Sequence, residues 1–299
     1  MHRLQLLVVF ALCVIVALAG ADVVRVRTDN LLVEAAADDS LLAVAIGQNL
    51  QPLIDDFQKR IGLYTSFPLR IVVAANHTEY QRLVRDSGGV LEFSQAHYNR
   101  RSRTVYVRHP GDLRQVRQLG TILLHEYIHA YVDHYWRDAP LWFHEGMAVY
   151  FSEGVSLERS ARYAFDTMLG NRLILPNMNS YPQQAVSWEL FYTKSALAVH
   201  FFYTQHRQEF FILWDEAPRN GGRFNNALAL AMGVTTEGFS RELESWLKKK
   251  VGWEMILASS SFLWSVFPLL LLVGWLRGKW RNRRTRRQWA LEEEVESEE

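Results

Sequence analysis

Two histidines four residues apart, with a glutamate directly after the first, carry the clearest chemical signal in this chain. His125-Glu126-Tyr127-Ile128-His129 matches the pattern H-E-x-x-H. Residues four apart lie on one face of a helix, so both imidazoles can bind the same ion. Imidazole nitrogens are common Zn²⁺ ligands, and a neighbouring carboxylate can take a proton from a water that the ion activates. The pattern therefore predicts a hydrolytic zinc site with Glu126 as general base.

A third ligand is expected from the segment that follows this motif. The sequence there is Trp142-Phe143-His144-Glu145-Gly146-Met147-Ala148, with Glu145 placed 16 residues after His129. By residue type, His144 and Glu145 both qualify, since imidazole and carboxylate groups both bind zinc. The segment predicts a second helix that brings one of them to the histidine pair.

Two other interpretations of the histidine pair compete with the zinc site. A longer zinc pattern, H-E-x-x-H-x-x-G-x-x-H, requires glycine at 132 and histidine at 135, where this chain has Val132 and Tyr135. A pair of core histidines without a metal is the simpler interpretation. However, the residues around the pair are apolar, and burying two polar rings without partners is costly. The sequence therefore favours metal binding.

Strands and helices have to place these groups. Runs rich in β-branched residues predict strands at 23–33, 69–74 and 104–108, with a helix at 41–61 after the first. A long helix at 113–135 carries the histidine pair. A second helix starts at Pro140, and later helices are predicted at 157–168, 187–206, 208–214, 224–231 and 236–249.

These elements predict an α+β fold with two lobes. The first lobe, about 22–135, mixes strands and helices, and the second, 136–250, is helical. A zinc cleft between the two lobes is the natural expectation. Together, residues 22–250 would form one metallopeptidase domain.

The N-terminal segment is typical of a secretory signal. Arg3 precedes an uncharged run from Leu4 to Ala19, and the run ends in Ala19-Gly20-Ala21, which resembles a cleavage site. Residues 1–21 are therefore expected to direct the domain out of the cytoplasm.

A second apolar stretch, 255–276, contains 22 residues without a charge. Its length predicts a transmembrane helix in contact with the lipid bilayer. Seven cations between Arg277 and Arg287 follow it, and an acidic end follows them. By the positive-inside rule, 277–299 is expected to be a cytoplasmic tail. The protein would thus be a single-pass protein of the cell membrane, with its catalytic domain outside.

Charge and cysteine content exclude several classes of function. The net charge is +1, and the basic run directly follows the predicted span, so no nucleic-acid partner is expected. The only cysteine, Cys13, lies within the predicted signal. Disulfides and thiol chemistry are therefore not expected in the mature domain. The sequence makes no prediction about oligomeric state.

Taken together, the two motifs resemble those of the gluzincin zinc metallopeptidases. His125-Glu-x-x-His129 followed by Trp142-Phe143-x-Glu145-Gly146-x-Ala148 looks like the peptidase MA-like family, as a bacterial membrane-anchored member. The resemblance covers roughly 22–250 and includes a later helix that opens Phe191-Tyr192-Thr193. It implies one Zn²⁺ held by His125, His129 and Glu145, with Glu126 as base and Tyr192 as donor to the oxyanion.

Some roles stay open even with this resemblance. Tyr150, His200 and Tyr203 are rivals to Tyr192. Many gluzincins have an acid four residues after the ligand glutamate, and this chain has Val149 there.

Asp133 or His144 could orient a ligand histidine instead. The strand at 104–108 is expected to be the sheet edge along which an extended peptide binds. A non-catalytic zinc-containing binding or assembly module outside the membrane is the alternative function.

Overall fold

The computed structural model describes eight segments of the chain. The chain divides into two compact units, Met1–Val155 with Leu173–Trp246, and Ser156–Arg172 with Leu247–Glu299. The boundary predicted between two lobes at residue 135 stays a prediction. The described residues are 14–16, 23–65, 67–86, 95–111, 116–183, 186–219, 221–250 and 266–279.

A mixed sheet opens the first unit, and its strands have the order β1-β2-β3-β4-β6-β5. β2 pairs antiparallel with β1 and β3, whereas β3, β4 and β6 are parallel. β5 pairs antiparallel with β6 and forms an edge of the sheet. The strands are β1 (Val14–Val16), β2 (Val23–Arg27), β3 (Leu31–Ala36), β4 (Leu69–Val73), β5 (Ala96–Asn99) and β6 (Thr104–Val107).

Nine helices that follow or connect these strands make up most of the described chain. They are α1 (Ser40–Ile61), α2 (His77–Asp86), α3 (Val116–Tyr135), α4 (Leu141–Ser152), α5 (Leu157–Met168), α6 (Val186–Gln205), α7 (Arg207–Glu216), α8 (Phe224–Met232) and α9 (Thr236–Lys250). A further helix covers 266–279.

Helix α1 connects two parallel strands, β3 and β4, and packs on both the sheet and α3. Its buried positions recur at helical spacing, among them Leu42, Ile46, Leu50 and Ile54. It ends at Gly62, whose φ of 81° lies in the left-handed region and whose N–H donates to the Gln58 carbonyl. The chain can therefore turn back directly into β4.

Three tyrosines tie α3 to α1 and to the segment between α1 and β4. Tyr131 Oη donates to the Leu63 carbonyl at 2.5 Å, and Tyr135 Oη donates to the Tyr64 carbonyl at 3.0 Å. Tyr127 Oη accepts from the Gln58 side-chain amide at 3.0 Å. The tyrosines are spaced four apart and offset by two from the histidine pair, so they lie on roughly the opposite face of α3. They fix the rotation of α3 about its axis.

Helices α4 and α6 approach each other closely at a glycine. A Cβ on Gly146 would lie 2.3 Å from the Ser195 carbonyl oxygen. Around this contact, aromatic rings fill the core between α4, α7, α8 and α9. They include Trp142, Phe143, Trp214, Phe224 and Phe239.

In the second unit, α5 begins after Ser156, whose side chain accepts from the Arg159 N–H. Ser160, Ala161 and Ala164 are buried along one side of the helix. The helix at 266–279 exposes most of its apolar side chains.

The transmembrane helix predicted at 255–276, and with it the predicted fold class, is wrong. Within the residues that the structure describes, none of the helices combines the length and the apolar character needed to cross a bilayer. The expected bilayer contact rested on this span.

The other terminal predictions fall mostly outside the described residues. Residues 255–265 and 280–299 are not among them, nor are 1–13 and 17–21 of the predicted signal. Val14–Val16 of that signal forms strand β1, which pairs with β2. The signal peptide and the cytoplasmic tail stay predictions.

Candidate metal centre

Three side chains from two helices converge on one point. His125 and His129 come from α3, one turn apart, and Glu145 comes from α4. One potential ligand atom from each lies within 4.8 Å of the other two. Glu145 Oε2 is 3.6 Å from His125 Nε2 and 3.7 Å from His129 Nε2. The structure thus brings together the three residues predicted to bind the metal.

The donor set fits a bound cation. Glu145 is only 2% exposed, yet its Oε2 lies 3.6 and 3.7 Å from the two histidine nitrogens, which is too long for hydrogen bonds. Zinc–ligand bonds of about 2.0–2.1 Å in a tetrahedron separate the ligand atoms by roughly 3.3 Å. The two distances from Glu145 to the histidines are therefore within a few tenths of an ångström of those around a bound ion.

The charge states of Glu145 and His129 suit a cation, whereas the raised pKa of His125 favours a proton that an ion would have to displace. Burial raises the pKa of Glu145, but the nearby His129 and His125 outweigh it and hold that pKa at about 2. Burial lowers the pKa of His129 to about 4. Burial also lowers the pKa of His125, but the Glu145 and Glu126 carboxylates raise it more. An ionised carboxylate and a neutral imidazole are the forms that bind metal.

Glu126 lies next to the ligands and is held by the sheet. Its Oε2 accepts the backbone N–H of Tyr98, in β5, at 2.8 Å. Burial is the main cause that raises the pKa of Glu126, to about 7. A carboxylate with such a pKa can both accept and return a proton near neutral pH.

The strand predicted as the sheet edge is not the edge. β6, which corresponds to the predicted strand at 104–108, lies between β4 and β5. The edge strand β5 is short and carries His97, Tyr98 and Asn99, so its sequence lacks the apolar alternation that marks a strand. It is β5 that packs against α3 and borders the metal centre.

Tyr181 contacts Glu145, and the sequence analysis did not predict this. It lies in the segment before α6, and its hydroxyl donates to Glu145 Oε1 at 2.5 Å. No motif or spacing pointed to this residue. Tyr192, the predicted oxyanion donor, has its ring centroid 6.5 Å from that of Tyr181. Burial and then the Glu145 and Glu126 carboxylates raise the pKa of Tyr192, which places it near the group.

The rivals to Tyr192 lie in an aromatic cluster. The ring of Tyr150 is 5.5 Å from that of His200 and 5.8 Å from that of Tyr203. Tyr203 also contacts Phe210, and His200 contacts Trp246. Packing accounts for these three residues, and the role of Tyr192 as donor stays a prediction.

Asp133 and His144 form a second polar group beside the first. Asp133 Oδ1 lies 3.0 Å from Arg100 Nε and 3.6 Å from His144 Nε2. Burial raises the pKa of Asp133 to about 6 and lowers that of His144 to about 3. His144 thus faces Asp133, whereas its neighbour Glu145 faces the histidine pair. Among the described residues, Asp133 contacts Arg100 and His144 but not His129. The prediction that Asp133 orients a ligand histidine therefore finds no support in these contacts.

No protein-family model matches the sequence, and a comparison with curated proteins finds no significant match. The chemistry of the site is therefore argued from its geometry.

Proposed function

We propose that this protein is a zinc-dependent hydrolase that cleaves peptide bonds, with Glu126 as general base. The convergence of His125, His129 and Glu145 beside that carboxylate is the observation that carries the proposal. The resemblance to gluzincin peptidases supports the choice of peptides as substrate. Other first-row cations accept the same donor types, so the choice of zinc is part of the proposal.

The chain's own residues can divide the chemistry among them. His125, His129 and Glu145 would hold the ion, which when bound supplies Lewis acidity toward a water molecule and a carbonyl oxygen. Glu126 accepts the proton of the attacking water and delivers it to the leaving amine. Tyr192 donates to the oxygen that becomes negative in the transition state.

The position of β5 suits an extended substrate. β5 borders the centre and is an edge strand of the sheet, along which a peptide could align. Tyr98, whose N–H reaches Glu126, lies on this strand. A peptide aligned along β5 would pass next to the general base.

A non-catalytic metal module is the competing function. Structural zinc sites are usually closed by four protein ligands. In the part of the chain that the structure describes, three residues form the group, and the fourth position is left for water or substrate. An extracytoplasmic location remains a prediction from residues 1–21.

The test uses the full-length chain, purified and analysed for bound metal. Cleavage of a peptide library is followed by mass spectrometry, with and without a chelator, and activity is restored by adding Zn²⁺, Co²⁺, Mn²⁺ or Ni²⁺ singly. Glu126→Gln should keep the metal and slow cleavage by about 10²–10⁴-fold. Glu158→Gln, the same change at an exposed helical acid, is the matched control and should leave cleavage unchanged.

Two results would overturn the proposal. One is a purified protein that binds none of the four metals. The other is a Glu126→Gln variant that retains both the metal and the full rate of cleavage.

A further inference from the structure

The two oxygens of the Glu145 carboxylate have different surroundings. Oε2 faces the two histidines, at 3.6 and 3.7 Å from their Nε2 atoms. Oε1 faces away from them and accepts the hydroxyl of Tyr181 at 2.5 Å. Because Glu145 is only 2% exposed, solvent cannot readily replace this donor. The hydroxyl therefore occupies one carboxylate oxygen, and the other is the one nearer the two histidines.

Tyr181 is held in place by several contacts of its own. Its ring centroid lies 5.9 Å from that of Phe191 and 6.3 Å from that of Trp188, both on α6. Trp188 Nε1 donates to the carbonyl of Pro182, the next residue after Tyr181, at 2.7 Å. These contacts hold Tyr181 and Pro182 against α6. The position of the tyrosine hydroxyl next to Glu145 is therefore fixed, although about half of the Tyr181 surface is exposed.

We propose that Tyr181 is a positioning residue of the metal centre, which holds Oε1 so that Glu145 offers only Oε2 to the ion. This inference rests on the proposed metal site. A glutamate that bound through both oxygens would occupy a position that a catalytic site keeps open for water and substrate. Hydrogen-bond partners of metal ligands orient them in this way, and their loss commonly costs about 10–100-fold in metal affinity or activity.

Tyr181→Phe tests the inference, since it removes the hydroxyl and keeps the ring contacts with Phe191 and Trp188. Zinc affinity, measured in the full chain by competition with a chromogenic chelator, should fall by about 10–100-fold. The absorption spectrum of the Co²⁺-loaded protein should also change, because the glutamate can now bind through both oxygens. Tyr203→Phe, the same change at a ring that packs against Phe210, is the matched control, and it should keep the wild-type affinity and Co²⁺ spectrum.

Neither measurement depends on peptide cleavage. If the wild-type protein binds zinc but cleaves no peptide, the proposed activity fails, whereas the role of Tyr181 is still decided by the affinities. If Tyr181→Phe keeps both the wild-type affinity and the wild-type Co²⁺ spectrum, the role of Tyr181 is overturned even if cleavage slows. Tyr181→Leu provides a second variant, and wild-type affinity in that protein would equally overturn the inference.

Discussion

Replacing Gly146 by alanine should disturb both the fold and the metal centre, because this glycine follows the ligand Glu145 directly. An added Cβ would lie 2.3 Å from the Ser195 carbonyl oxygen and 2.8 Å from its carbon. Both are backbone atoms of α6, so no side-chain rotation can relieve the contact. Ordinary contact begins near 3.4 Å, so α4 and α6 would have to separate by about 1 Å.

The size of the effect follows from two opposing contributions. Alanine is favoured over glycine within a helix by about 1 kcal/mol. Overpacking a well-packed core costs about 1–3 kcal/mol, and a clash with backbone belongs at the upper end of that range. The net loss in the free energy of unfolding should therefore be about 2 kcal/mol. The displaced α4 should also carry Glu145 out of position and weaken zinc binding.

Gly47→Ala, in the buried face of α1, is the matched control. There the new Cβ would lie 3.3 Å from a methyl group of Thr28, which can adjust, so this variant should be neutral or slightly stabilised. Urea unfolding of the metal-free proteins measures the stability difference, and chelator competition measures zinc affinity. If Gly146→Ala proves as stable as Gly47→Ala and binds zinc equally well, the close helix contact does not exist as described.

Three other expectations concern metal, pH and the ion pair made by a buried lysine. Zinc at a hundred times its dissociation constant should raise the free energy of unfolding by about 2.7 kcal/mol. A calorimetric scan in which the unfolding temperature does not change when chelator is added would refute this. Burial raises the pKa of Glu34, but the neighbouring Arg70 and Arg25 outweigh burial, so the pKa in the folded protein is lower than the ordinary value of 4.5. The ionised carboxylate therefore stabilises the fold at any pH above 4.5. This stability is lost as the pH falls through the lower pKa of the folded protein. Glu34→Gln should therefore cost about 0.5–1 kcal/mol at neutral pH and much less in acid, and an equal loss at both pH values in urea unfolding would contradict the assignment. Glu244→Ala should lower the free energy of unfolding by about 1–2 kcal/mol in the same assay, because it leaves the buried ammonium of Lys194 without its carboxylate partner. An unchanged urea midpoint would contradict this ion pair.

The grouping of the three proposed metal ligands could be predicted because their geometry is mostly local. The spacing of His125 and His129 sets their common face as soon as α3 forms. The connection of 136–140 between α3 and α4 is short, which favours packing of the two helices against each other. Glu145, near the start of α4, then comes close to the histidine pair. Chain spacing and residue type are sufficient to bring α4 to the histidine pair, whereas the choice of Glu145 over His144 came from the family resemblance.

The remaining contacts depend on distant parts of the chain or on the backbone alone. Tyr181 lies 36 residues from Glu145, in a segment without regular structure, and a tyrosine there has no distinctive sequence signal. Glu126 is held by the N–H of Tyr98, a group that nearly every residue type has. The edge strand was missed for a related reason, since its position follows from strand pairing and not from its own composition.

The tyrosines on the far face of α3 have a consequence for how this sequence can vary. Tyr131 and Tyr135 donate to the carbonyls of Leu63 and Tyr64, which are main-chain groups. The side chains at 63 and 64 can therefore change while the acceptors stay the same, whereas a change in the length of this turn would shift both acceptors at once. Insertions and deletions between α1 and β4, far from the metal ligands in sequence, should thus be less well tolerated than substitutions there.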